Sequence, residues 1–213
     1  MKKLILLIAA VSIAAVANAQ RGTELRSRLL FGLKIGTNYS NVYDSDGENF
    51  NSNPKVGLVT GGYLAIPIGK FLGVQPEVLF SQRGFYATGV VMGGDYNLTR
   101  TTNNVDVPVY FAFKPTRFIT FLAGPQFSYL TSQRDVFANG STTIERQQVF
   151  ESANIRRNTL CFATGADLNI RHLVLGARLG WAVQNNNGDG SVTVPRYKDV
   201  WFQTTVGYRF YRK

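Results

Sequence analysis

The sequence predicts an all-β fold, a transmembrane antiparallel up-and-down β-barrel of eight strands that follows a cleaved signal peptide. Three observations carry this expectation. First, residues 201–210 alternate with a period of two: Phe202, Thr204, Val206, Tyr208 and Phe210 share one face, and Trp201, Gln203, Thr205, Gly207 and Arg209 share the other. A strand with one apolar face that begins and ends in aromatics is the pattern of a lipid-facing stave. Second, the chain opens with an export signal. Lys2 and Lys3 precede an apolar run from Leu4 to Val16 broken only by Ser12, and Ala17-Asn18-Ala19 offers the small residues a signal peptidase reads. Third, the connections between the expected strands alternate between short and long, as in outer-membrane barrels, whose periplasmic turns are short and extracellular loops longer.

The cut is expected after Ala19, which divides the chain into a signal peptide, 1–19, and one barrel domain, 20–213. The apolar run is too short for a membrane-spanning helix, which needs about 20 residues. Gln20, not Cys, follows the cut, which argues against a lipid-anchored N-terminus.

The strands follow from apolar alternation and from the turn residues between them. The first is expected over residues 30–42, with Phe31 and Tyr39 eight residues apart on its outward face. The second, 55–68, joins the third, 71–84, through little more than Gly69-Lys70. The fourth, 97–113, turns through Lys114-Pro115-Thr116-Arg117 into the fifth, 118–131. The sixth, 157–170, turns around Arg171-His172 into the seventh, 173–185, and the eighth covers 197–211. The remaining connections, 43–54, 85–96, 132–156 and 186–196, are long and all fall on one side. Phe202 and Phe210 are also eight residues apart, and eight tilted residues span roughly 20 Å, the separation expected of two aromatic girdles.

Composition agrees. Charged residues make up 17% of the chain, below the roughly 25% of soluble domains, which suits a sheet whose outer face has no use for charge. A soluble lipocalin-like barrel would turn its apolar face inward and need a charged exterior. The polar face of the seventh strand (Val174, Gly176, Arg178, Gly180, Ala182, Gln184) is instead small with one charge, which fits a narrow lumen. The formal net charge of +10, of which Lys2 and Lys3 contribute two, is scattered over an exported chain and does not point to nucleic acid. Anionic lipid head groups are the more natural partners of basic loops.

Several segments resemble the PorT-like, "porin family" outer-membrane β-barrel domain. They are Val74-Gln75-Pro76-Glu77-Val78-Leu79-Phe80-Ser81-Gln82-Arg83-Gly84, Val105-Asp106-Val107-Pro108-Val109, Ala123-Gly124-Pro125-Gln126-Phe127, Leu175-Gly176-Ala177-Arg178 and Gly207-Tyr208-Arg209-Phe210. The resemblance spans essentially the whole mature chain. It implies an outer-membrane barrel of about eight strands and no single activity; some relatives serve protein secretion. Val206, Tyr208 and Phe210 form the expected C-terminal signal for the barrel-assembly machinery.

Little chemistry stands out. Cys161 is alone, so no intrachain disulfide or thiolate metal cluster can form, and it reads as a small filler on a strand. His172, the one His, falls in a short turn at the wrong end for an outer-rim catalytic site. Asn185-Asn186-Asn187-Gly188-Asp189-Gly190 starts like a calcium loop, but Arg196 stands where Glu is required, so a surface turn is expected. Asp44-Ser45-Asp46-Gly47-Glu48 reads as a solvated turn, and the Asn97-Leu98-Thr99 and Asn139-Gly140-Ser141 triplets are assigned no role. No catalytic residue, cofactor or metal site is expected.

Two functions remain open: a structural or interaction barrel whose loops 43–54, 85–96, 132–156 and 186–196 meet an extracellular or envelope partner, and a small diffusion channel. An eight-stranded barrel is just wide enough for side chains to fill it, which weighs against a wide pore. In the lumen, Glu77 and Arg178 face each other from opposite walls at similar depth, with Asp106 higher and Lys34 and Asp167 lower. The expectation is a Glu77–Arg178 pair plugging the barrel, with the other three as second partners.

Overall fold

The computed structural model describes residues 25–43, 51–91, 94–139, 142–148, 156–186 and 196–211. The expected signal peptide, the acidic tip at 44–48 and most of the 186–196 connection lie outside the described residues. A 3-10 turn, Leu25–Ser27, precedes nine strands: β1 (Leu30–Tyr43), β2 (Asn51–Pro67), β3 (Leu72–Val91), β4 (Gly94–Phe113), β5 (Ile119–Asn139), β6 (Thr142–Gln148), β7 (Asn158–Ile170), β8 (Leu173–Ala182) and β9 (Lys198–Phe210).

Eight of them, all but β6, close into an antiparallel ring. Neighbours in sequence pair with one another, β5 pairs with β7, and β1 pairs with β9 from Phe31↔Phe210 to Tyr43↔Lys198. Closure satisfies the backbone groups of every stave within the sheet, the condition a strand must meet in hydrocarbon.

The side chains are distributed opposite to those of a water-soluble barrel. Alternation in β1, and in β9 from Trp201 to Phe210, buries one face and exposes the other. The exposed residues are apolar: Ile35, Val56, Val78, Phe127, Leu179 and Val206 are each at least half exposed. The buried ones include Lys34, Glu77, Arg83, Asp106, Asp167 and Arg178. Lipid, not water, is the solvent in which this arrangement is favourable. The lipocalin-like alternative is thereby excluded.

The expected strand positions hold near the short turns, and the structure departs from them at the other end. Within the expected loop 85–96 the described residues form a ladder: β3 and β4 are each 20 residues long and stay paired from Phe85↔Arg100 up to Val91↔Gly94. The inner side of this extension packs Phe85 and Ala87 against Val42 and Tyr197. The first half of the expected loop 132–156 is likewise a hairpin, because β5 runs on to Asn139 and β6 returns along it from Thr142↔Asn139 to Gln148↔Gln133. The alternation in β5 is interrupted where Asn104 pairs Leu130 and Asn103 pairs Ser132, leaving Thr131 as an extra residue. A bulge shifts the period-two pattern by one, so the sequence reads as loop where the backbone is still strand. The seventh stave, β8, is shorter than expected and ends at Ala182.

Gly84 sits in this region with φ of 155°, a conformation open to glycine, and a side chain there would strike the carbonyl of Arg100. Ser40 on β1 clamps it from beyond the intervening β2: its Oγ donates to Gly84 O at 2.9 Å and accepts from Gly84 N–H at 2.9 Å.

Candidate functional site

The lumen is filled by charged and polar side chains in layers. At mid-depth, Lys34 on β1 pairs with Glu77 on β3. Gly61, which pairs with Lys34 on the intervening strand, has no side chain to obstruct the contact. On the opposite wall Arg178 on β8 donates from Nη2 to Asp167 Oδ1 at 2.7 Å, and from Nη1 to the carbonyls of Ala166 and Ala177 at 2.9 and 3.0 Å. Gly165 and Gly176 make room for this guanidinium, since a Cβ at either would stand 2.8 Å from Arg178 Cδ or from Asp167 Oδ1.

The two walls meet in the middle. Arg178 Nη2 lies 4.0 Å from Glu77 Oε1, and Gln75 Nε2 donates to Glu77 Oε1 at 2.9 Å and to Asp167 Oδ2 at 3.5 Å. Lys34, Glu77, Arg178 and Asp167 thus form one network across the barrel. The ring of Tyr110 lies beneath the Arg178 guanidinium at 5.4 Å.

Asp106 belongs to the next layer up. It pairs with Arg83, whose guanidinium carbon lies 3.5 Å from the centroid of Trp201. The indole in turn packs on Gly180, where any side chain would overlap it. Asn38 donates from Nδ2 to Ser81 Oγ at 2.9 Å and Gln82 O at 3.0 Å, closing the wall beside this layer. Three cations therefore meet three carboxylates in the two central layers, and Glu77, Asp106, Arg83 and Arg178 are all at most 2% exposed. Buried charges persist only when paired, and this balance pairs each of them, although Arg83 Nε, Arg178 Nε and Asp106 Oδ1 make no hydrogen bond.

A third layer closes the extracellular end. Arg100 grips Asp135 with two bonds of 2.8 Å and donates to the Tyr197 hydroxyl at 2.9 Å. Gln133 adds a bond to Asp135 of 2.9 Å. Burial pushes the Tyr197 phenol above its ordinary pKa, against the pull of Arg100.

The short-turn end is different in charge. Arg209 donates to Asn169 Oδ1 at 3.0 Å and to the Arg171 carbonyl at 2.9 Å, and Lys114 donates to the Arg26 carbonyl at 3.3 Å. These acceptors are neutral. Burial, then the nearby Arg209 and Arg26, hold the Lys114 ammonium down at a pKa of about 8.

Of the five lumen residues singled out in the sequence, the structure brings Glu77, Arg178, Lys34 and Asp167 into one network. The nearest partners are Lys34 for Glu77 and Asp167 for Arg178, and the cross-lumen pair is the longer contact. Asp106 stands apart from the network, with Arg83. Sequence reasoning passed over Arg83, although it lies six residues from Glu77 and so shares its inward parity. Arg100 and Asp135 were missed because Asp135 fell in a segment read as loop.

Val206, Tyr208 and Phe210 all face outward, with Phe210 stacked on Phe31 at 5.6 Å across the closing seam. His172 lies outside the lumen, stacked between Tyr211 at 4.1 Å and Tyr208 at 5.3 Å. Cys161 is buried beside Ser128 Oγ at 3.6 Å. Among the described residues no three His, Cys, Asp or Glu side chains converge as a metal site requires.

A family model described as "Outer membrane protein beta-barrel domain" matches residues 18–187. No curated protein matches the chain. Among solved structures, the chain is similar to Ail, the attachment invasion locus protein of Yersinia pestis, at 17% identity and a TM-score of 0.48, covering 85% of this chain and 98% of that one. Neisserial surface protein A matches at 12% identity and a TM-score of 0.47, covering 84% and 97%. OprG from Pseudomonas aeruginosa matches at 12% identity and 0.38, covering 86% and 95%.

Proposed function

The chain belongs to the outer membrane protein beta-barrel domain family and is a β-barrel protein of the cell outer membrane, and from that premise we propose that it is a closed, non-catalytic barrel that acts through its extracellular rim. The observation that carries this reading is the paired lumen. Two successive layers of ion pairs, with Trp201 and Tyr110 against them, occupy the cross-section through which a solute would pass. Meanwhile the wall is tall on one side: β3, β4 and β5 reach 20 or 21 residues, while β8 has 10. Such a one-sided rim suits contact with an extracellular or envelope partner, and it contains residues 85–91, 94–96, 132–139 and 142–148.

The five sequence motifs support placing the chain among PorT-like barrels, some of which serve secretion. On this reading the signal is removed after Ala19, and the barrel-assembly machinery and outer-membrane lipid are the first partners of the mature chain.

The test is conductance. Purified protein in a planar bilayer should give no steady open level. A stable open level with Glu77 and Arg178 intact would favour the small diffusion channel instead. A photoreactive residue in place of Tyr86, exposed on the rim, should cross-link a defined partner on intact cells, whereas one in place of Phe127 in the apolar band should reach only lipid.

A further inference from the structure

The periplasmic end of the lumen holds a small, partly open cavity of about 30 Å³ between the 3-10 turn, β2, the β4–β5 turn, β7 and β9. Its described lining carries four basic side chains and one carboxylate. Lys114, Arg209, Arg26 and Arg117 all line it, and Asp167, its one carboxylate among the described lining residues, is already engaged by Arg178 at 2.7 Å.

The donors are underused. The Arg209 Nε–H and the Tyr63 hydroxyl are buried without a hydrogen-bond partner, and both residues line the cavity. Arg209 is 9% exposed and Tyr63 5%. Lys114, 6% exposed, has three N–H donors and makes a single long bond to a carbonyl. An unmade bond from a buried donor is unfavourable, and a buried cation without a counter-ion more so. The central layers of the same lumen balance every cation with a carboxylate, whereas Lys114 and Arg209 at this end donate to neutral acceptors.

We propose that this cavity is a binding site for a phosphate-type oxyanion, held by Lys114 Nζ, Arg209 Nε and the Tyr63 hydroxyl from three different walls. There are three donors on three different residues, and a tetrahedral oxyanion can offer each a separate oxygen where a carboxylate has only two. Its charge would offset the clustered cations, and charge-assisted bonds to ionised donors are the strong ones. The phosphate could reach the site as a free ion or as the headgroup of a periplasmic-leaflet lipid.

Full-length mature protein in zwitterionic nanodiscs, titrated with inorganic phosphate by calorimetry, tests this. Saturable binding to one site is expected, with chloride at equal ionic strength unable to replace it. Lys114→Met should weaken it by on the order of tenfold or more, while Lys70→Met, on a different short turn, should leave it unchanged. Fold is checked separately by gel mobility with and without heating. A second readout follows Lys114 by side-chain NMR. The groups that face it are Arg26 from the 3-10 turn, Arg117 from its own turn, Arg209 from β9, Asp167 from β7 and Tyr63 from β2. Bound phosphate should raise its pKa from about 8 towards the ordinary lysine value. Adding phosphatidylglycerol to the nanodisc distinguishes the sources: apparent affinity for free phosphate falls if headgroups occupy the cavity and is unchanged if they do not. Absence of saturable binding, or binding that survives Lys114→Met in a folded barrel, overturns the proposal.

Discussion

Glu77 and Arg178 stand on opposite walls of the barrel, and Arg178 Nη2 comes within 4.0 Å of Glu77 Oε1. Each also has a closer partner on its own side, Lys34 for Glu77 and Asp167 for Arg178. The plug is therefore two local pairs joined across the lumen. Removing one partner from a buried pair typically costs about 3–5 kcal/mol, because the other charge is left uncompensated. Glu77→Ala and Lys34→Ala should each lower the unfolding midpoint in lipid vesicles, and the double variant should lose much less than the sum. Coupling between Glu77 and Arg178 should have the same sign and be smaller. Equal coupling for both pairs would contradict the geometry.

The two faces of a stave should obey different rules. Val206→Arg and Leu179→Arg place a cation in the apolar band, at a cost of about 2–4 kcal/mol near mid-depth, and should reduce the heat-modifiable, folded fraction. Gly180→Leu faces inward and should fail for a steric reason, by displacing Trp201. A compensating Trp201→Ala should recover folding of Gly180→Leu and have no effect on Val206→Arg. Rescue of both, or of neither, would mean that the faces are misassigned.

The extracellular rim should be separable from the barrel. Arg100 holds Asp135 with two parallel bonds, a geometry that lysine cannot reproduce. Arg100→Lys should leave the apolar-band staves intact yet increase cleavage of the β3–β4 and β5–β6 extensions by protease added to intact cells. Unchanged protection would show that the Phe85–Tyr197 contact, at 5.2 Å, is sufficient to hold the rim.

Lys114 gives the barrel a pH dependence of definite sign. Its folded pKa, about 8, lies below the ordinary value of 10.5, with burial the first cause and Arg209 and Arg26 the next. Between those values the unfolded chain binds the extra proton, so stability rises as pH increases through that window. Lys114→Met should lack the rise. It should be more stable than the parent near neutral pH by about 1–3 kcal/mol and converge with it above the window, as read from urea midpoints in phosphate-free buffer. A parent whose stability is flat from neutral to alkaline pH would refute the assignment.

Much of this molecule was legible in the sequence because a membrane barrel leaves few choices. In hydrocarbon every backbone donor and acceptor must be paired within the sheet, and the two faces of each strand meet opposite solvents, so period-two alternation fixes strand, face and closure together. The alternation of residues 201–210 and the short turns at Gly69-Lys70, Lys114–Arg117 and Arg171-His172 were enough to place all eight staves. Parity also assigned Glu77, Arg178, Asp106, Lys34 and Asp167 to the interior.

What lay beyond reach was everything that depends on height and on neighbours around the ring. The extra residue at Thr131 shifts the alternation of β5, so Asp135, the partner of Arg100, reads as loop. Choice of partner was settled by register and side-chain reach: Arg83, whose ladder partner is Thr102, extends along the neighbouring strand to Asp106, and Asp167 lies one stave away from Arg178. The donor-lined cavity was invisible for the same reason. Lys114, Arg209 and Tyr63 are far apart in the chain, and only closure of the barrel turns them towards a common space. Alternation is a local property of each strand and survives in the sequence, whereas register is a relation between strands and exists only once the ring has formed.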